Sequence, residues 1–323
     1  MRVLVTGGAG FIGSHLVDAL MAEGHTVTVL DNLTTGQIAN IAAHLEHPRF
    51  RFVEDSILNP AALEPLVRDA ETIYHLAAAV GVKYIVDDPV GSIITNVHGT
   101  ENVLRLAHRY GVRTVIASSS EVYGKSTQLP LHEDADRLLG PTTVGRWAYS
   151  EAKAIDEFFA LGLAAQGLPV SIVRYFNSYG PRLDARGYGS VIARFISQAL
   201  RGEPITVYND GEQTRCFTYV SDTVAATLKA GTLDAALGQP FNVGADAEIS
   251  MNDLAELIRR LTGSRSEIVH IPYSEAFAVP FEETRRRRPD VSRARAVLGF
   301  EARVPLEEGL RRTVEWFRSR GTG

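Results

Sequence analysis

The sequence of 323 residues predicts an α/β fold in which a doubly wound parallel β-sheet is followed by a smaller C-terminal lobe. Two observations support this prediction. Short β-branched runs alternate with longer amphipathic stretches through the first half of the chain, which is typical of βαβ units. Past about residue 178 the alternation gives way to Gly- and Pro-rich loops and short strands. Ligands of such sheets bind beyond the carboxyl ends of the strands, so that edge is where a site is expected.

The alternating half contains six predicted strands, at 2–5, 26–31, 49–55, 72–78, 113–120 and 169–176. Four helices are predicted between them, at 12–23, 61–70, 88–111 and 146–167. The lobe is predicted to contain helices at 190–202, 252–262 and 305–319 and short strands at 205–208 and 241–244. We therefore expect one domain over 1–178, to which a segment near 240–245 returns, and a lobe formed mostly by 179–323.

Composition and charge exclude several classes of function. Apolar residues make up 45% and charged residues 22% of the chain, as in ordinary globular proteins. The net charge of −5 gives no basic surface for nucleic acid or anionic membranes. Cys216 is the single cysteine, which precludes an internal disulfide and suits a reducing compartment. With no long apolar run and no secretory signal at the start, we expect a cytoplasmic protein without membrane or nucleic-acid partners.

Three glycines in the segment TGGAGFIGSHL follow the first predicted strand. Gly7 is expected to form a tight turn, Gly10 to let the backbone approach a pyrophosphate, and Gly13 to let the helix pack on the strand. Phe11 and Ile12 would offer free N–H groups at the helix start. A purely structural turn is the alternative. The strand–turn–helix context favours a Rossmann-type dinucleotide site.

Polar residues at the ends of the next strands extend this predicted site. Asp31 ends the second strand about 20 residues beyond the glycines, where a carboxylate binds a ribose diol and repels a 2′-phosphate, which favours NAD over NADP. Asp55 follows the third strand and is expected at the adenine end, with a plain turn as the alternative. The other predicted cofactor contacts in this region are Asn32, Ser56, Leu76, Ala77 and Ala78.

Catalytic residues are predicted beyond the fifth strand. Tyr149 and Lys153 are four residues apart on one predicted helix and so share a face. An ammonium beside a phenol lowers the phenol pKa, which would let Tyr149 take a proton from a sugar hydroxyl while hydride leaves the same carbon. A hydroxyl of Ser119 or Ser120 could hold the substrate oxygen. The histidines and carboxylates show no metal-ligand spacing, so no metal site is predicted.

Together, TGGAGFIGSHL, HLAAAVGV, NVHGTENVL, SSSEVYG and the Y-x-x-x-K pair resemble the extended short-chain dehydrogenase/reductase family. RYFNSYGPR, GEQTRCFTYVSD and RRPDVSRARAVLGFEARVPLEEGL resemble its nucleotide-sugar branch. The resemblance implies a tightly held NAD, a nucleotide-diphosphate sugar substrate, and a homodimer formed by the helices at 89–110 and 146–166. It also implies roles for Tyr149 as base, Lys153 as its partner and ribose ligand, Ser119 as catalytic hydroxyl, and Asn177, Arg215 and Arg287 as diphosphate ligands. Asn96 resembles the family's active-site asparagine, with a plain hydrogen bond to helix backbone as the alternative.

The branch shares oxidation of the sugar at C4, and the next step determines the product. Dehydratases carry an Asp-Glu pair where this chain has Ser120 and Glu121, which disfavours dehydration. Glu121 is an acid–base candidate near C5. The segment SEVYG that contains it resembles the corresponding segment of uronate decarboxylases. No arginine is evident for a C6 carboxylate, so we expect an NAD-dependent epimerase acting on an NDP-hexose or a UDP-uronic acid. A UDP-glucuronate decarboxylase is the alternative, and a non-catalytic NAD-sensing protein a remote one.

Overall fold

Seven parallel strands form the central sheet of the computed structural model, which describes residues 1–81, 88–184, 190–276 and 282–320. These strands are β1 (Arg2–Thr6), β2 (Thr26–Asp31), β3 (Phe50–Glu54), β4 (Thr72–His75), β5 (Arg113–Ser119), β6 (Val170–Tyr175) and β11 (Pro240–Val243). Their order across the sheet is β11-β6-β5-β4-β1-β2-β3. The chain runs outward in both directions from β1 and β4, so the crevice beyond these two strands is the switch point where ligands bind.

Helices cover both faces of the sheet. One face carries α1 (Phe11–Ala22) and α6 (Val220–Thr232), and the other carries α2 (Pro60–Asp69), α3 (Pro89–Tyr110) and α4 (Arg146–Ala164). Strand β1 shows why both layers are needed, because Val3 and Val5 join one apolar cluster while the intervening Leu4 joins the other. A strand buried on both sides is apolar throughout, as expected of parallel sheets. The predicted α/β fold class is confirmed.

The remaining elements build a smaller lobe beside the carboxyl ends of the strands. Its helices are α5 (Val191–Arg201), α7 (Met251–Thr262), α8 (Tyr273–Ala276), α9 (Ser292–Leu298) and α10 (Leu306–Ser319). Its short strands are β7 (Ser178–Tyr179), β8 (Ile205–Tyr208), β9 (Thr214–Cys216), β10 (Thr218–Tyr219), β12 (Glu248–Ser250), β13 (Ile268–Ile271) and β14 (Arg286–Arg287). Strand β9 lies between β12 and β14, which brings Arg215 opposite Arg287 in the parallel β9–β14 pair.

Two features of the sheet differ from the sequence expectation. Strand β4 ends at His75 rather than at residue 78, because the N–H of Ala77 turns to the Thr6 hydroxyl and the chain leaves the sheet. Helix α6, which the sequence pattern did not indicate, packs on α1 and on strands β4 to β6. The chain segment that returns to the sheet domain therefore spans residues 220–243. It is longer than the predicted returning segment near 240–245.

Candidate active site

The glycine turn lies between β1 and α1 and is closely packed at Gly7 and Gly13 and less so at Gly10. Gly7 has a φ of +71°, and a Cβ there would lie 2.6 Å from the Ala77 nitrogen. A Cβ on Gly13 would lie 2.1 Å from the Gly7 carbonyl oxygen, so helix and turn are in contact. At Gly10 the nearest atom to an added Cβ is 3.2 Å away, and α1 begins there without a side-chain cap. This open helix N-terminus suits a pyrophosphate.

Asp31 is fixed at the end of β2 by backbone donors. Its Oδ2 accepts the Ala9 N–H and its Oδ1 accepts the Leu33 N–H, both at 2.9 Å. Burial raises the pKa of this carboxyl and outweighs the two hydrogen bonds, which favour its charged form. A carboxylate oxygen can accept more than one hydrogen bond, so both oxygens keep capacity for a ribose diol.

A cavity of about 470 Å³ joins this turn to the end of β5. Every residue that the sequence placed in the cofactor or catalytic set lines it except Asn96. The lining cofactor residues are Gly7, Gly10, Phe11, Ile12, Gly13, Asp31, Asn32, Asp55, Ser56, Leu76, Ala77, Ala78, Tyr149 and Lys153, and the others are Ser119, Ser120 and Glu121. Of the predicted substrate residues, Asn177 and Arg287 line the cavity and Arg215 does not.

Asn96 lies behind the cavity wall and is fully buried. Its Oδ1 accepts the Ala79 N–H at 2.7 Å and its Nδ2 donates to the Ala79 carbonyl at 3.1 Å. These two bonds hold the loop that follows β4 against α3. In this structure Asn96 therefore shapes the cavity through Ala79, in contrast to the direct contact that the sequence suggested.

Tyr149 and Lys153 lie on one face of α4, with Ser119 opposite at the end of β5. Burial raises the pKa of Tyr149, and the Lys153 ammonium and a hydrogen bond with Ser119 oppose this without cancelling it. The lowering effect of Lys153 that the sequence predicts is present, but burial outweighs it and the net pKa of Tyr149 is raised. One reason is that Lys153 Nζ donates to Asp156 Oδ2 at 3.1 Å, so its charge is partly balanced.

Three arginines and two glutamates form a charged cluster along the other wall. Arg287 Nη1 donates to Glu121 Oε1 at 2.6 Å, and Arg146 Nη2 approaches Glu121 Oε2 at 3.3 Å. Glu283 accepts from Arg146 at 3.0 Å and from Arg215 at 2.5 Å. Counted over the described residues of the cluster, three positive and two negative charges leave one positive charge in excess, which favours an anionic group at this wall.

Glu121 is ionised in this cluster. Burial by itself would raise the pKa of its carboxyl, but Arg287 and Arg146 outweigh burial and hold the pKa far below its usual range. The same arginines, with Arg215, lower the pKa of Glu283 against the effect of burial. Glu121 thus faces the cavity as a carboxylate held between two guanidinium groups.

The sequence profile of the family described as GDP-mannose 4,6 dehydratase matches residues 4–313. The chain belongs to this family. The resemblance to the extended short-chain dehydrogenase/reductases of the nucleotide-sugar branch is thereby confirmed, and the chain is an enzyme of that branch.

Two curated relatives carry decarboxylase names. The chain is 44% identical over 319 residues to UDP-N-acetyl-alpha-D-glucosaminuronate decarboxylase of Bacillus cytotoxicus, covering 98% of each chain. It is 40% identical to UDP-glucuronic acid decarboxylase 1 of Danio rerio, covering 98% of this chain and 72% of that protein. Among solved structures, UDP-glucuronic acid 4-epimerase from Bacillus cereus, in complex with UDP-glucuronic acid and NAD, superposes with a TM-score of 0.89 at 28% identity. That alignment covers 99% of this chain and 100% of the epimerase.

Sequence reasoning missed three charged residues that contact predicted site residues, namely Arg146, Asp156 and Glu283. Arg146 is three residues before Tyr149 on α4, so helical spacing could have placed it on the catalytic face. Asp156 is three residues after Lys153 and was detectable in the same way. Glu283 follows no recognisable spacing, since it reaches the cluster through a loop that only the folded lobe brings there.

Across the described ranges, no helix is both long and apolar enough to cross a membrane.

Proposed function

We propose that this enzyme is an NAD-dependent UDP-uronic acid decarboxylase that converts UDP-glucuronate to a UDP-pentose. The observation that carries the proposal is the position of Glu121 between Arg287 and Arg146 in the cavity wall that also contains Tyr149. The names of the two curated relatives support decarboxylation over the epimerisation expected from the sequence. The sequence had singled out no arginine that must be reserved for a C6 carboxylate, and the position of Arg146 in the cavity wall supports the proposal.

The charged wall suits a uronate substrate. A guanidinium group binds a carboxylate through paired N–H donors, and burial strengthens such contacts. Arg146 and Arg287 line the cavity, and Arg287 Nε is buried without a hydrogen-bond partner among the described residues. The cluster carries one excess positive charge, which an anionic C6 group would balance. Asn177 lines the cavity near the lobe and is proposed to contact the diphosphate, while Arg215 acts indirectly by holding Glu283.

The cavity also fits NAD. Asp31 is positioned for the adenosine ribose, the turn at Gly10 for the pyrophosphate, and Lys153 for the nicotinamide ribose. When bound, NAD supplies a reversible hydride acceptor for C4 of the sugar. The carboxylate of Asp31 would repel the extra phosphate of NADP.

Tyr149 is proposed to take the proton of the C4 hydroxyl as C4 is oxidised. The Lys153 ammonium stabilises the phenolate form of Tyr149 that accepts this proton, and the Ser119 hydroxyl holds the C4 oxygen. The C6 carboxylate is then β to a ketone. Cleavage of the C5–C6 bond releases CO₂, and the bonding electron pair moves to the C4 oxygen as an enolate, stabilised by the two hydroxyls. The cycle is completed when C5 takes up one proton from solvent and hydride returns to C4 while Tyr149 gives its proton back to the C4 oxygen.

Glu121 is assigned a role as a carboxylate in this sequence. Its depressed pKa makes it a poor acid for expelling a hydroxyl, which disfavours 4,6-dehydration. Held between Arg287 and Arg146, it fixes the orientation of both guanidinium groups toward the substrate. Release of CO₂ requires the C6 carboxylate to remain ionised, and two adjacent arginines keep it so.

We also propose a homodimer through α3 and α4, which pack side by side. Their outer surface exposes Val90, Ile93 and Ile94 on α3 and Ile155 and Phe158 on α4, with Phe158 69% exposed. Apolar side chains concentrated on two adjacent helices are typical of an interface rather than of a solvated face. Pairing two such surfaces would produce a four-helix contact.

The function is tested by incubating the protein with UDP-glucuronate and NAD and following the sugar by proton NMR while trapped CO₂ is measured. Decarboxylation gives stoichiometric CO₂ and loss of the C5–C6 connectivity. Inversion of the C4 proton without CO₂ would show an epimerase and refute the proposal. A parallel reaction with UDP-N-acetylglucosaminuronate tests the substrate of the Bacillus cytotoxicus relative, and UDP-glucose serves as the substrate that lacks a carboxylate.

A further inference from the structure

A second buried acid, Asp156, lies directly behind the catalytic pair. Its Oδ2 accepts from Lys153 Nζ at 3.1 Å, and the two side chains are only 2% and 4% exposed. Tyr149, Lys153 and Asp156 are spaced by four and three residues, so they lie along one face of α4. Asp156 is not among the residues that line the cavity, so it acts on the reaction through Lys153.

The groups around Asp156 leave it as the counter-charge of Lys153. On α4, Glu157 is engaged by Arg174 of β6 through two hydrogen bonds of 2.8 and 2.6 Å, so these two charges match. From β4, His75 bonds to hydroxyls on either side and is kept neutral, because burial lowers its pKa to about 3. Burial raises the pKa of Asp156 to about 6, while Lys153 and the Thr100 hydroxyl of α3 favour its charged form.

This arrangement has two opposing consequences for catalysis. A buried amine without an anionic partner loses its proton, because burial disfavours the charged form. Asp156 reverses this for Lys153, whose pKa is raised despite burial. The same negative charge raises the pKa of Tyr149 and so delays formation of the phenolate.

We propose that Asp156 is a positioning residue that keeps Lys153 charged at the cavity floor and thereby sets the pH range over which Tyr149 can accept the substrate proton. The inference rests on the proposed function for its catalytic meaning, while its electrostatic basis is independent of the substrate. Replacing Asp156 by the isosteric asparagine should lower the pKa of Lys153. The charge of the Lys153 ammonium should then no longer be balanced by the Asp156 carboxylate. Both limbs of the pH–rate profile should then shift toward acid.

The direct test measures Lys153 itself by NMR. The chain has only four lysines, so ¹³Cε-lysine labelling gives few signals, and a Lys153→Met variant assigns the one of interest. Lys153 of the wild type should titrate above Lys229, which is exposed, and in Asp156→Asn the pKa of Lys153 should fall by at least about one unit. A wild-type Lys153 that titrates at or below Lys229 would refute the inference even if the variant failed to fold.

The kinetic test compares initial rates of hydride transfer across pH. We expect both limbs of the Asp156→Asn profile to move to lower pH by about one unit. Asp222→Asn is the matched control, because Asp222 is a buried acid that accepts the N–H groups of Arg303 and Val304 far from Lys153. It should lose stability without a shifted profile. If the wild type is active and the pH–rate profile of Asp156→Asn is unshifted, the inference about Asp156 is refuted and the proposed function stands. If the wild type is inactive, the proposed function is refuted.

Discussion

Replacing Glu121 by glutamine tests the charged wall most directly. The change removes one negative charge and keeps the shape, so three arginines face a single carboxylate, and the excess positive charge rises from one to two. The 2.6 Å bond from Arg287 becomes a bond to a neutral amide oxygen, and the 3.3 Å contact with Arg146 loses its Coulombic part. Hydrogen bonds to charged groups contribute about 1.5–3 kcal/mol each, against about 1 kcal/mol for neutral ones.

Each of the two contacts therefore loses about 0.5–2 kcal/mol, so the structure implies a loss of about 1–4 kcal/mol, which corresponds to about 5- to 1,000-fold in kcat/KM if both arginines are needed in the transition state. The assay is CO₂ release from UDP-glucuronate at saturating NAD. The matched control is Glu282→Gln, because the Glu282 side chain pairs with Lys125 at 2.9 Å at the surface and does not line the cavity. Wild-type CO₂ release by Glu121→Gln, with Glu282→Gln also unaffected, would refute the proposed role of the wall.

Four further predictions concern other parts of the molecule. Tyr149→Phe should lose at least about 10²-fold in rate while NAD binding is retained, because only the proton acceptor is removed, and single-turnover rates together with NAD titration check this. Wild-type protein should bind NAD more tightly than NADP. In Asp31→Asn the difference between the two affinities, measured by calorimetry, should be smaller. A wild type that prefers NADP would contradict the role of Asp31. The lowered pKa of Glu283 means that its contribution to stability is complete above the ordinary carboxyl range near about pH 4.3 and is lost as pH falls below it. Thermal melts should therefore show the difference between wild type and Glu283→Gln shrinking below about pH 4, and a difference that is independent of pH would count against the ion pairs. Finally, Phe158→Glu should convert the proposed dimer to a monomer in sedimentation velocity, because a charge in an apolar interface is strongly disfavoured; a wild type that is already monomeric excludes the interface.

The residues predicted to bind the cofactor could be placed along one cavity from the sequence because they are local. Gly7, Gly10 and Gly13 follow a strand and open a helix, and their positions in the structure follow from that order alone. Tyr149 and Lys153 are likewise fixed by one turn of helix. Asn96 is the exception, because its amide lies on the expected helix but bonds to the Ala79 backbone, a contact that depends on where the loop after β4 passes.

The substrate half could not be predicted in the same way, since its members come from distant segments. Arg215 and Arg287 meet Glu121 and Glu283 only when β9 and β14 pair in the lobe and the lobe packs over the sheet. The sequence identified Arg287 and Glu121 separately through a family resemblance. It did not show that they share a hydrogen bond or that Arg146 completes the wall.

The sequence by itself determined the α/β fold class, the glycine turn and the catalytic helix face, because periodicity and short spacing act over a few residues. Tertiary structure decided the ionisation of the site. Burial raises the pKa of Tyr149, Asp156 keeps Lys153 charged, and two arginines hold Glu121 ionised. Such shifts depend on desolvation and on charges brought within a few ångströms by packing, and neither quantity is encoded by spacing along the chain.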